Sequence, residues 1–227
     1  IAPGQVGASG ELGLSEQLAA LPYDASGLDP EGIDVDAAGN LWLVDEYGPF
    51  IVKVDGKSGE ILQRYAPGQG LPLELAARQP NRGFEGVAVT PAGKVVAIVQ
   101  STLDVDGKTR NDALFTRVVV LDPKTGAVQQ FAYPVSSHFK KTGDMKLGDI
   151  VALSDTQFAV IEQGKDKDKR MHNDIVLLDL AAATDISGKQ LADGRALEYG
   201  DAAALAAAGM QPVRKKTAID LRALGWT

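Results

Sequence analysis

One stretch of this sequence occurs three times, and that constrains the fold more than any other feature. Glu31–Glu46 (EGIDVDAAGNLWLVDE) returns at the same length as Glu85–Gln100 (EGVAVTPAGKVVAIVQ). It returns again, one residue shorter at its turn, as Asp149–Gln163 (DIVALSDTQFAVIEQ). Each copy opens with a short alternating strand, passes a turn (AAGN, PAGK, SDTQ) and continues into an apolar strand: Leu41–Val44, Val95–Val99 or Phe158–Ile161. That is the signature of a β-hairpin. A third apolar run ending in Asp follows each time: Ile51–Asp55, Val118–Asp122 and Ile175–Asp179. The first two then meet DGKSG or DPKTG and a fourth run, Ile61–Tyr65 or Val128–Tyr133. Four antiparallel strands per repeat predict an all-β fold, a β-propeller of four-stranded blades near 31–66, 85–134 and 149–180. A sandwich of similar hairpins is the alternative, and the repeated Glu-Gly start favours the propeller.

No linker divides the chain, so residues 1–227 are expected to form one domain. A closed propeller has roughly 4–8 blades, so the chain is expected to be incomplete or to build irregular blades from its remaining segments. Thr217–Leu221 would open a further blade. Leu14–Leu21, Leu71–Arg78 and the Ala-rich Glu198–Met210 have helical character and predict short helices in connections. Trp42 and Phe158 occupy equivalent places in their second strands and are expected between blades.

The net charge of −7 disfavours nucleic acid and anionic membranes as partners. The run Lys165–Arg170 (KDKDKR) is interrupted by two Asp and is expected to be a solvated hairpin tip. Cysteine is absent, which excludes disulfides, thiolate metal sites and a cysteine nucleophile. No apolar run is long enough to span a bilayer. A first residue of Ile1 rather than Met points to a processed or excised chain, with export the simplest reason.

The first strand of each propeller blade lines the axis, so equivalent positions converge there. On this alignment Glu31, Glu85 and Asp149 are equivalent. Such a ring repels itself unless protonated or bridged by a cation, and hard oxygen ligands suit calcium or magnesium. Glu46 and Glu162, at second-strand ends beside Asp45, Gln100 and Gln163, extend the candidate metal set to Glu31, Glu46, Glu85, Asp149 and Glu162. Two readings stay open: a cation site, or acids that accept backbone N–H groups and lock blades together. Arg82 is the candidate for a substrate phosphate, with structural pairing as its alternative. No catalytic residue can be assigned. G-x-S-x-G is absent, the two histidines, His138 and His172, are expected in polar loops, and metal-activated water is the more economical hydrolytic mechanism. Asp104–Asp112 lacks the EF-hand spacing, and Leu28-Asp29-Pro30 is turn punctuation.

In DPEGI…WLVDEYGP (Asp29–Pro49), NRGFEGVAV (Asn81–Val89), Gln100-Ser101 and GDIVAL…VIEQ (Gly148–Gln163), the chain resembles the phytase-like family with esterase-like activity. The match runs in order from Asp29 to Leu221. It implies a propeller, usually exported by bacteria to the periplasm or beyond, acting as a hydrolase on small phosphate or carboxylic esters. The denser Asp-rich signatures of calcium-dependent propeller phytases are missing, which leaves phytate without support. A non-catalytic propeller serving as a binding module is the alternative. Oligomeric state is not readable.

Overall fold

The computed structural model describes Gln17, Ala19, Ala20 and residues 27–226; the helical turn expected over 14–21 lies largely outside them. Three sheets succeed one another along the chain, each with its main strands in sequential antiparallel order. The first holds β1 (Pro30–Val35), β2 (Leu41–Asp45), β3 (Phe50–Val54) and β4 (Ile61–Pro67), with a two-residue parallel addition, β5 (Gly70–Leu71). The second holds β6 (Phe84–Val89), β7 (Val95–Val99), β8 (Phe115–Leu121) and β9 (Val128–Pro134). The third holds β10 (Lys146–Ala152), β11 (Gln157–Lys165), β12 (Met171–Asp179) and β13 (Arg214–Asp220).

What makes these sheets propeller blades is the approach of their first strands. A Cβ placed on Gly32 of β1 would lie 3.1 Å from the Glu85 carbonyl oxygen and from the Gly86 Cα. One placed on Gly86 of β6 would lie 2.8 Å from the Gly148 carbonyl oxygen and 3.0 Å from the Asp149 Cα. Only glycine lets backbones come this close. The three inner strands therefore stand side by side, which two face-to-face sheets would not produce.

Burial follows from this arrangement. Trp42, Val44 and Ile51 of the first sheet pack with Val87, Ala97 and Val119 of the second. Ala88, Ile98 and Val118 on the second sheet's other face pack with Ile150, Phe158 and Val160 of the third. The middle sheet is covered on both faces, so every residue of β7 and β8 is buried, and VVAIV is apolar throughout instead of alternating. β11, in an end sheet, alternates buried and open positions along its length.

Two expectations are corrected. The hairpin turns are equally long in all three repeats, because Val35 pairs with Leu41, Val89 with Val95 and Ala152 with Phe158. The third repeat therefore starts one residue earlier, and Gly148 rather than Asp149 is the counterpart of Glu31 and Glu85. A one-residue slip sends every side chain to the opposite face. Phe158 is buried between blades as expected, but as the counterpart of Leu41 and Val95, not of Trp42. Thr217–Leu221 opens no new blade: β13 pairs with β12, Val176 opposite Thr217, as the third sheet's fourth strand.

The delay before β13 has a structural cause. Residues 180–213 first run along the edge of the second sheet, where Ile186 N–H bonds to Gln130 O and Val213 N–H to Ala132 O. A single-turn 3-10 helix (Leu197–Tyr199) and α1 (Ala202–Ala207, capped by Asp201) occur there, inside the region expected to be helical. Leu197 and Leu205 pack on Phe115 and Ala132. Leu71–Arg78 likewise tightens to a 3-10 turn over Leu73–Ala77.

Candidate functional site

Each inner strand carries a β-bulge at its start. The register shifts between Pro30 and Gly32, between Phe84 and Gly86, and between Leu147 and Ile150. A bulge adds an unpaired residue and re-aims its side chain, so Glu31 and Glu85 leave the regular pleat at corresponding points. Carboxylate oxygens of Asp29, Glu31 and Glu46 all lie within 4.8 Å of one another. Asp45 holds this corner: its Oδ2 accepts the Asp29 N–H at 2.6 Å and its Oδ1 the Gly48 N–H at 2.5 Å. Asp45 is almost wholly buried, and burial raises its carboxyl despite those bonds. It is a bracket and does not join the group.

Gln100 ties the second sheet to the first. Its Nε2 donates to Glu85 Oε2 at 2.5 Å and to Glu46 Oε1 at 3.3 Å. Burial raises the Glu85 carboxyl, with Asp29 adding to the rise, while the Gln100 bond and the Lys146 charge oppose it. Gln100 Oε1 is buried and has no hydrogen-bond partner. Ionised carboxylates this close repel by on the order of 1–3 kcal/mol per pair at the effective dielectric of a protein surface. That is a sizeable fraction of a typical total stability of about 5–15 kcal/mol. The charge of Arg78 beside Asp45 and Glu46 offsets part of this repulsion, a bound cation would relieve more, and three carboxylates are the hard donors a calcium or magnesium ion takes. The group could hold a metal ion.

A cleft of about 500 Å³ is lined by Arg82, Lys140, Lys146, Lys165, Lys167 and Lys169, with Asp144 and Asp166 among them. Lys146 is the counterpart of Asp29 and Gly83 in the other inner strands, so the basic cleft and the acidic group share one end of those strands. The Arg82 guanidinium is held by Gly143 O at 2.6 Å and Ser101 Oγ at 3.2 Å. The KDKDKR tip, expected to be merely solvated, forms a wall of this cleft. Asp166 Oδ1 folds the tip by accepting the N–H groups of Asp168 (2.8 Å) and Arg170 (2.9 Å).

Of the residues marked from sequence, the structure thus gathers Glu31 and Glu46, joins Glu85 to them through Gln100, and sets Arg82 in the adjoining cleft. Asp149 and Glu162 lie outside the close-set group. Asp149 is exposed, and its Oδ1 accepts the N–H of Ile150. Glu162 is the counterpart of Asp45, since it pairs with Leu147 as Asp45 pairs with Pro30. It is buried between blades, bound by Lys215 Nζ at 2.6 Å, by Tyr133 OH at 2.7 Å and by Ser136 Oγ. Burial pushes its carboxyl up, but the Lys215 charge and these bonds outweigh that and leave it lowered. His172 lies in β12, opposite Gly164, rather than in the polar loop expected, and His138 stacks on it with ring centroids 4.2 Å apart. Burial and the neighbouring His172 lower His138. Sequence reasoning missed Asp29, Lys140 and Lys146. Aligning the repeats two residues further upstream would have flagged Asp29 and, with the third register corrected, Lys146.

Residues 7–227 match the family model described as "Phytase-like: Esterase-like activity of phytase". An uncharacterized secreted protein of Arthroderma benhamiae is 30% identical over 107 residues, covering 35% of this chain and 21% of that protein. The chain therefore spans about a fifth of that relative. Among solved structures, virginiamycin B lyase from Staphylococcus aureus is similar at 15% identity and a TM-score of 0.36, covering 63% of this chain and 40% of that one. A streptogramin B lyase is similar at 14% identity and a TM-score of 0.38, covering 70% and 45%. No helix among the described residues is long and apolar enough to cross a membrane.

Proposed function

The chain belongs to the phytase-like family, and on that premise we propose that it is an exported ester hydrolase acting on phosphate or carboxylic esters. Asp29, Glu31 and Glu46 would hold a divalent cation, calcium or magnesium, with Glu85 and Gln100 beside it. The observation that carries this reading is the placement of an oxygen-rich acidic group and a lysine-lined cleft at one end of the same inner strands. The cation would supply Lewis acidity toward the ester and lower the proton affinity of bound water. Arg82, Lys140 and Lys146 bind and orient an anionic ester group, which favours phosphate within the substrate class. Glu85, whose carboxyl burial raises, is suited to hold or release a proton at Oε1 or Oε2. The secreted relative supports export.

A screen of phosphomonoesters and short-chain aryl esters in calcium or magnesium tests the reading. Turnover that falls at least tenfold in Glu85→Gln, with Arg82→Ala raising KM for the phosphate esters more than for the aryl esters, supports it. Absence of turnover on every ester, with cation binding retained, would transfer these acids to a non-catalytic binding module.

A further inference from the structure

Gln100-Ser101 is among the segments that carry the family resemblance, and the Ser101 side chain holds the guanidinium of Arg82. Ser101 is buried. Its Oγ accepts a hydrogen bond from Arg82 Nη1 at 3.2 Å and donates to Met145 O at 2.9 Å. Nη1 donates again to Gly143 O at 2.6 Å. The root of the side chain is fixed by the same segment: Arg82 N–H bonds to Gln79 O at 3.1 Å, and Gln79 Nε2 to Thr102 O at 2.9 Å. These bonds use one end of a planar fork. A guanidinium has five N–H donors in fixed geometry, and those on Nε and Nη2 have no partner among the described residues. The Nε–H and one Nη2–H run parallel, a pair that grips two oxygens of one oxyanion. Arg82 is half-buried and lines the cleft beside Lys140 and Lys146.

We propose that Ser101 is a positioning residue: it holds the Arg82 guanidinium by Nη1, so that the free Nε–Nη2 edge takes two oxygens of a phosphoryl group in the cleft. The inference rests on the anionic-ester reading of that cleft and adds its directional element. The lysines are point charges on flexible stems, whereas the guanidinium is a rigid plane. The edge, and not the charge alone, therefore selects a phosphoryl group.

Calorimetric titration of the 227-residue chain with inorganic phosphate reads the edge without turnover. Arg82→Ala should raise the phosphate dissociation constant at least about tenfold. Arg82→Lys, which keeps the charge and loses the edge, should bind almost as weakly. Ser101→Ala should raise the constant about threefold or more. The double variant, Arg82→Ala with Ser101→Ala, should bind no more weakly than Arg82→Ala alone, because Ser101 acts through Arg82. Ser101→Cys keeps the volume with a weak acceptor, and should give the same result where the alanine variant does not fold. Wild-type affinity in Arg82→Lys, losses that add in the double variant, or a wild-type chain that does not bind phosphate would each overturn the proposal. Failure of the hydrolase reading looks different: phosphate binding with this coupling intact, and no turnover of any ester.

Discussion

Replacing Lys215 with Met isolates the contact by which β13 is tied into the blade interface. Lys215 Nζ lies 2.6 Å from Glu162 Oε2, with the two side chains 17% and 2% exposed. Removing one member of a buried pair costs about 3–5 kcal/mol, because the other charge stays behind without compensation. The partial exposure of Lys215 sets the expectation at the low end, about 3 kcal/mol. With a urea slope of about 1–3 kcal/mol/M, the unfolding midpoint should fall by at least about 1 M. The pH dependence carries a sign. In the wild type the Glu162 carboxyl is lowered, so its contribution is present above its unfolded value and is lost as pH falls through the folded value. Without Lys215, burial dominates and raises the carboxyl, so its cost is largest at neutral pH and fades on acidification. The gap between wild type and variant should therefore narrow from pH 7 toward pH 4. Adding Glu162→Gln should recover most of the loss. A gap under about 1 kcal/mol at pH 7, or one independent of pH, would refute the reasoning.

Trp42→Ala and Phe158→Ala should each cost about 3–5 kcal/mol by urea denaturation, since both fill inter-blade cores at no more than 1% exposure; a change within error would show that the seams do not depend on them. Gly83→Ala would put a Cβ 2.0 Å from the Glu46 carbonyl oxygen. It should lower the melting temperature and weaken any cation response together, measured by thermal melts with and without calcium.

The blade hairpins were legible because each is a local event: alternation, a glycine turn and a second apolar strand within some sixteen residues. The third repeat was misaligned because Asp149-Ile150 mimics Glu-Gly-Ile in charge and hydropathy, while the bulge that sets its register leaves no mark in a period-2 pattern. β13 was misplaced because its partner β12 is separated from it by the excursion along β9, a non-local pairing that neither turn chemistry nor alternation announces. The acidic group was half legible. Glu31, Glu46 and Glu85 follow from repeat position, but Asp29 looked like turn punctuation beside Pro30. Glu162 was marked as a carboxylate at a second-strand end, but it is the counterpart of Asp45 rather than of Glu46, and adjacent strand residues face opposite ways.

If Asp29, Glu31 and Glu46 hold a divalent cation, as proposed, the melting temperature responds to titration with calcium or magnesium. Free cation at about 100 times its dissociation constant should stabilise the fold by about 2.7 kcal/mol, a rise of roughly 5–10 °C for a chain of this length. Beyond saturation the rise should follow the logarithm of concentration. Glu31→Gln and Glu46→Gln should abolish the response, while Glu162→Gln, whose side chain serves the Lys215 pair, should retain it. A melting temperature unchanged by either cation, or a Glu46→Gln variant with the full wild-type shift, would show that these carboxylates do not hold the ion.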